Sequence, residues 1–199
     1  MAAAVILRRQ RFSVRIDDSK RLTARQRQQA FDVICKHADI GIGLASAEEI
    51  DRRNILQATL TAMQRAIQDL SQAPDLILVD GTVAPRVRIP CRPIVHGDQR
   101  HTVISCASIV AKVVRDHLMD FYDAFAPHHG FAKHKGYGTA LHARQLSLHG
   151  PGLFHRRSFR PVRDALAAAR RGSTAPALLV DDTQDQADPA LDPAQPLNA

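Results

Sequence analysis

The stretch Leu76-Ile77-Leu78-Val79-Asp80-Gly81 decides how this chain is built. Four apolar residues ending in a β-branched valine run straight into an aspartate and a glycine, the pattern of a strand buried on both faces that ends at a sheet edge. Just before it, Leu56, Leu60, Met63, Ile67 and Leu70 recur at steps of four and three within Asn54 to Leu70. That spacing predicts an amphipathic helix with Met63 in its packing stripe. Pro74 stops the helix, and a helix feeding a buried strand indicates α/β architecture. Asp80 is thereby pinned to a rigid element. Its local sequence fits the first residue of an Asp-Gly turn as well as it fits a catalytic or metal-binding carboxylate.

Toward the N-terminus, Ala2 to Leu7 reads as a short strand, and Asp17-Asp18-Ser19-Lys20-Arg21-Leu22-Thr23 as a turn leading to a helix N-cap at Thr23. Ala30, Phe31, Ile34 and Ala38 follow at helical spacing, and Asp39 to Ala45, with Gly41 and Gly43, alternates as a strand does. Ser46 with Glu49 forms a capping box. Toward the C-terminus, a loop holding Pro85, Pro90 and Pro93 leads to a short strand at Ile94 and Val95, closed by His96, Gly97 and Asp98. Thr102 to Phe125 reads as one long helix whose small residues suit close packing on a sheet, and Pro127 ends it. Gly130 to Thr139 (GFAKHKGYGT) is a glycine-rich loop, and Thr139 caps a helix bearing Leu141, Leu146 and Leu148. Phe154 to Val162 (FHRRSFRPV) precedes an alanine-rich helix to about Arg171.

All 27 Lys and Arg lie at or before residue 172, against 15 of the 20 Asp and Glu, which leaves +12 on that part of the chain. Such a body favours a polyanion: nucleic acid leads, with an anionic membrane surface or solubility alone as alternatives. The domain is therefore drawn at 1-172. Residues 173-199, rich in Ala, Pro, Asp and Gln and lacking aromatics, read as a disordered tail. No apolar run reaches the ~20 residues that span a bilayer. Three scattered cysteines without a CxxC pair suggest neither a disulfide framework nor zinc, and fit a reducing cytoplasm.

Asp80 and Asp98, at the ends of two strands, suit a Mg²⁺ or Mn²⁺ site for phosphodiester hydrolysis, although such a site normally takes three or four carboxylates. In GFAKHKGYGT, glycines permit close backbone approach, Lys133, His134 and Lys135 face phosphates, and Tyr137 offers a flat ring to a sugar or base. An ordinary solvated basic loop is the competing reading. His155, with Arg156 and Arg157, reads as phosphate-side charge or a surface run. No HExxH, GxSxG or Walker pattern is present.

The order of these motifs carries more than any one of them. DSKRLT, ASAEEIDRRNILQATLTAMQRAI, LILVDG, VHGD, SCASIVAKVVRD, GFAKHKGYGTALH and HRRSFRPV together resemble bacterial ribonuclease HII from about Ala2 to Val162. The resemblance implies an α/β fold of the RNase H-like kind, a mixed sheet flanked by helices with a C-terminal helical portion. It implies an endonuclease, using Mn²⁺ or Mg²⁺, that cuts the RNA strand of RNA/DNA hybrids and at ribonucleotides embedded in duplex DNA, leaving a 3′-hydroxyl and a 5′-phosphate. By the same resemblance Asp80 and Asp98 are catalytic, metal-binding carboxylates, the third and fourth of four. Tyr137 matches the residue that stacks on the sugar at the RNA-to-DNA junction, Ser19 and Lys20 fall where the family meets the substrate backbone, and Asp116 is a structural or outer-shell carboxylate rather than a metal ligand. A cytoplasmic monomer is expected, with a sliding clamp left open as a partner.

The chain departs from the family at its start. The first central strand, with an Asp-Glu pair and a Gly-Arg-Gly turn, is missing before Ala2. Two accounts follow: Met1 is an artefact of start-site choice for a full enzyme, or the chain is a non-catalytic RNA/DNA-binding relic or an unstable fragment. The 199-residue chain as written is expected to be weak or inactive.

Overall fold

Strand β1 (Ala2–Leu7) pairs antiparallel with β2 (Ala38–Gly43), Ala2 opposite Gly43 and Leu7 opposite Ala38. Residues 1–9 and 11–170 are described in the computed structural model from which this follows. Helix α1 (Ala24–His37) joins the two strands. It begins as the sequence predicts: the Thr23 hydroxyl accepts from the Gln26 N–H at 3.2 Å, and the Gln26 side chain returns to the Thr23 N–H at 3.0 Å. The reciprocal pair satisfies two amide donors that a helix start leaves orphaned. Ser46 and Glu49 repeat the device ahead of α2 (Ala47–Arg53).

Helix α3 (Ile55–Gln68) then lies against β2, and glycine sets how close it comes. A Cβ on Gly43 would stand 1.8 Å from the Ala62 carbonyl oxygen, and one on Gly41 2.0 Å from that of Ala66. The face that meets the strand is correspondingly Ala58, Ala62 and Ala66, all at or below 1% exposure. This corrects the predicted stripe in part. Ile67 is buried and Met63 packs against the Ala2, Ala62 and Ala66 cluster, but Leu56 is half exposed. The periodicity of large side chains located the helix; the small ones mark its contact face, because backbone approach leaves no room for larger groups.

Strand β3 (Ile77–Asp80) runs parallel to β4 (Cys91–Ile94), with Asp80 opposite Ile94. Two expectations change here. The second strand starts at Cys91 and contains Pro93, which lacks an N–H and so suits an edge position. Asp98 sits past the strand, in the first turn of the short helix α4 (Gly97–Arg100). Strand β3 is also not buried on both faces: Val79 is enclosed, while Ile77 and Leu78 are only half-buried, and Leu76 just before the strand is exposed. The reason lies in the topology. Among the described residues, β1 pairs only with β2 and β3 only with β4, so the sheet is split into two pairs and every strand keeps one unpartnered edge. The resemblance implies a central strand for a single mixed sheet, and none of the described residues supplies it.

Helix α5 (Thr102–Phe125) spans the range expected and packs against β1, α1 and β3. Its Cys106, Ile109, Val110 and Val113 close the main core with Leu22, Ala30, Ile34 and Ala38. Beyond a 3-10 turn at Pro127–His129, the C-terminal portion is helical: α6 (Phe131–His134), α7 (Ala140–His149) and α8 (Arg160–Arg170). The Asp51 carboxylate of α2 ties this portion back, accepting from the Arg157 and Ser158 N–H groups and the Ser158 hydroxyl. The tail predicted over residues 173-199 lies outside the described residues. Among those described, no helix is long and apolar enough to cross a membrane.

Candidate active site

Asp80 ends β3 with its side chain exposed, and one carboxylate oxygen accepts from the Gly97 N–H at 2.8 Å. That bond joins the ends of the two parallel strands. A Cβ on Gly97 would come within 2.6 Å of Ile104 Cδ1 and 3.4 Å of the Asp80 carboxylate, so glycine keeps the approach open. The turn before it is made by His96 in the left-handed region, φ 53°. Asp98 follows, half-buried, its own carbonyl receiving the Ser105 hydroxyl at 2.6 Å.

The Asp98 carboxyl is pushed above its usual range. Burial is the first cause, and repulsion from Asp80 and then Asp18 adds to it, against the Gln99 N–H and the Lys20 ammonium, which act the other way. The Asp17–Thr23 turn therefore reaches the same corner as the two strand ends. Asp18, read from the sequence only as part of the turn before Thr23, is among the groups that face Asp98. It is buried, and its carboxylate accepts from the Lys20 N–H at 2.9 Å. Asp17, by contrast, is taken up by Arg15 and Arg21.

Ser19 and Lys20 part company in the structure. The Ser19 side chain is buried, its hydroxyl 3.0 Å from that of Ser108 on α5, whereas the Lys20 side chain is exposed. The Arg27 guanidinium donates to the carbonyls of Ser19 and Leu22 and braces the turn. Asp116 pairs with Lys112 at 2.7 Å on α5.

Carboxylate oxygens are the right donors for a hard divalent cation, and a cation would relieve the repulsion at Asp98. Their number falls short. No group of three or more His, Cys, Asp or Glu among the described residues is placed to hold a metal ion. The residues present do not complete such a site, and no reaction step is drawn through it.

Tyr137 is 53% exposed, its ring centroid 5.2 Å from Lys112 Nζ and 5.0 Å from Arg115 Cζ. The GFAKHKGYGT loop contains the single-turn helix α6, followed by Lys135 at φ 49° and Gly136 at φ 77°. Only part of its expected charge faces outward. Lys133 is exposed, Lys135 pairs with Asp120, and His134 is buried. His155 is buried too, which overturns its reading as surface charge: burial, then the neighbouring His129 and His142, lowers its pKa to about 4. His129 is likewise lowered to about 4, first by burial. These histidines are neutral packing groups around Phe131, not phosphate contacts.

The helix-flanked strand pairs with a carboxylate-bearing corner define a protein of the ribonuclease H-like fold. A crystal structure of the ribonuclease H2 from Pyrococcus horikoshii matches with a TM-score of 0.63 over 85% of this chain and 98% of that one, at 19% identity. The family follows from closer likenesses. A family model described as Ribonuclease HII matches residues 1–162. The chain is 50% identical over 172 residues to the Ribonuclease HII of Verminephrobacter eiseniae, covering 86% of this chain and 82% of that one. It is 51% identical over 170 residues to Ribonuclease HII 1 of Methylibium petroleiphilum, covering 85% and 86%. This chain belongs to the ribonuclease HII family, a family of hydrolytic nucleases.

Proposed function

We propose that this protein is an endoribonuclease family member directed at the RNA strand of RNA/DNA hybrids and at ribonucleotides embedded in duplex DNA, leaving a 3′-hydroxyl and a 5′-phosphate. Its setting is the removal of RNA during DNA replication and repair, in the cytoplasm, by a monomer of one domain over residues 1-172. The observation that carries the reading is the convergence of Asp80, Asp98 and the Lys20-bearing turn on one corner of a basic molecule, recorded in the raised Asp98 carboxyl. Asp80 and Asp98 are the carboxylates for Mn²⁺ or Mg²⁺, the Lys20 ammonium meets a phosphate, and the exposed Tyr137 ring receives the sugar at the RNA-to-DNA junction. The buried Ser19 side chain gives that role to its backbone and to the shape of the turn it holds.

The 199 residues as written cleave weakly or not at all, because two carboxylates leave the metal-binding set short. The same shortage supports a second reading, in which the chain binds hybrids without cutting them. Purified protein with Mn²⁺ and a duplex carrying one ribonucleotide separates the two. Retained duplex with no product is the expected outcome; robust cleavage that Asp80→Asn abolishes would show that the site is complete and sink the inactivity reading. Failure to retain an RNA/DNA hybrid in preference to the matching DNA duplex would remove the substrate assignment itself.

A further inference from the structure

Tyr137 stands between two glycines, Gly136 and Gly138, so its own stretch of backbone does little to fix where the ring points. The fixing comes from histidines. The Tyr137 carbonyl receives two donors, the Thr139 N–H at 2.9 Å and the His142 ring at Nδ1, 2.8 Å away. On the other side, the Gly136 N–H donates to His134 Nδ1 at 3.0 Å and the Tyr137 N–H to the His134 carbonyl at 2.8 Å. The His134 and His142 rings stack on each other, 4.0 Å apart and 7° from parallel.

The donors and acceptors leave each ring a single tautomer. The Gly136 N–H needs a bare Nδ1 on His134, so the His134 proton is on Nε2, which donates to the His129 carbonyl at 2.7 Å. His155 accepts from the Gly152 N–H at Nδ1 and so donates from Nε2 to His142 Nε2, 3.2 Å away. His142 therefore carries its proton on Nδ1, where it can only be given to Tyr137. The burial that lowers the pKa of His134 and His155 keeps those rings neutral, as this chain of bonds requires.

We infer that His142 is a positioning residue for Tyr137, holding the Tyr137 carbonyl through Nδ1–H so that the phenol ring is presented to nucleic acid from a fixed backbone. This rests on the reading of Tyr137 as the residue that meets substrate. Two substitutions divide the His142 ring between its nitrogens. His142→Asn places an amide donor near the Nδ1 position and gives up the link to His155; His142→Gln reaches the Nε2 position, keeps that link and gives up the Tyr137 carbonyl.

Two readouts on the full chain test the idea. The first is the fluorescence anisotropy of a dye-labelled RNA/DNA hybrid, with Tyr137→Ala as reference. Tyr137→Ala is expected to weaken binding about tenfold, as loss of one stacking contact does. His142→Gln should weaken it about threefold to tenfold, and by less than about twofold when Tyr137 is already alanine; His142→Asn should stay within about twofold of the parent. The second readout is the NMR spectrum of ring-labelled tyrosine, simple because the chain has two tyrosines, and Tyr122 is stacked on Phe154 elsewhere. His142→Gln should shift or broaden the Tyr137 signals and leave those of Tyr122, while His142→Asn should leave both. Equal losses in the two variants, the reverse order, or losses that persist undiminished in the Tyr137→Ala background would mark a merely structural histidine and overturn the inference. A displaced Tyr137 ring in His142→Asn alone does the same, so the test survives a failure of His142→Gln to fold. If Tyr137→Ala leaves hybrid affinity unchanged, the substrate reading of Tyr137 falls, and the ring signals still decide whether His142 holds it.

Discussion

The two halves of this molecule are stabilised by different means. Around β1, β2 and α3 the innermost contacts are glycine and alanine backbone against backbone, and charge is kept to the rim, where Asp69 accepts from the Ile42 N–H and Arg65 pairs with Glu49. Around β3, α4 and the C-terminal helices the contacts run through carboxylates and neutral imidazoles: Asp80 to Gly97, Asp51 to Arg157 and Ser158, His142 to Tyr137. The first half is a scaffold whose innermost contacts are steric, with no group between them to titrate. The second holds the residues assigned to function and is assembled from groups that solution conditions can change.

The largest expected effect breaks the scaffold. Gly43→Ala places a methyl group 1.8 Å from the Ala62 carbonyl oxygen, and since backbone on both sides must move, a loss of about 3 kcal/mol is expected in urea unfolding, the same at pH 5 and pH 8. A loss below about 1 kcal/mol would mean that α3 can ride up off the strand.

Acid should act on the other half. His129 and His155 sit near pKa 4 in the fold against an ordinary 6.5, so the unfolded chain takes up protons first as pH falls. Their neutral burial costs nothing above about pH 6.5, and stability is then lost progressively down to about pH 4, by roughly 2 kcal/mol for each of the two histidines when urea unfolding is compared at pH 7.5 and 4.5. His155→Gln should flatten that slope; an unchanged slope would place its origin in carboxylates elsewhere.

The smallest effect has the opposite sign. Asp98 is held near Asp80 and Asp18 at some electrostatic cost. Asp98→Asn should therefore leave the fold as stable or raise it by about 0.5 kcal/mol in urea unfolding, small because the group is partly open to solvent. A clear destabilisation would show that Asp98 serves the turn more than the site.

Much of this was legible in the chain. Thr23 and Ser46 announce their helices because a capping box is a local transaction, and Ala2 to Leu7 and Thr102 to Phe125 fall where their patterns end. Asp80 was visible as a carboxylate at a strand end for the same reason. What local pattern could not show depends on partners distant in sequence. The incomplete burial of β3 goes with its unpaired edge, the alanine face of α3 follows from two glycines about 20 residues earlier, and the burial of His134 and His155 from rings contributed by three separate segments. The nearness of Asp18 to Asp98 is of that kind too, a meeting across 80 residues that no spacing rule records.

The left-handed turns at His96 and Lys135 bear on anyone who would make this protein tougher. Each lies two residues ahead of a position assigned to function, Asp98 in one case and Tyr137 in the other. A screen for heat resistance would favour glycine at both, since a side chain in that conformation costs about 1 kcal/mol. The same exchange would loosen the backbone hinge on which each of those side chains is aimed. Thermostability selected at these two places would tend to trade away aim, and the alanine and glycine scaffold offers no room to recover it, since a Cβ on Gly41 or Gly43 already meets backbone.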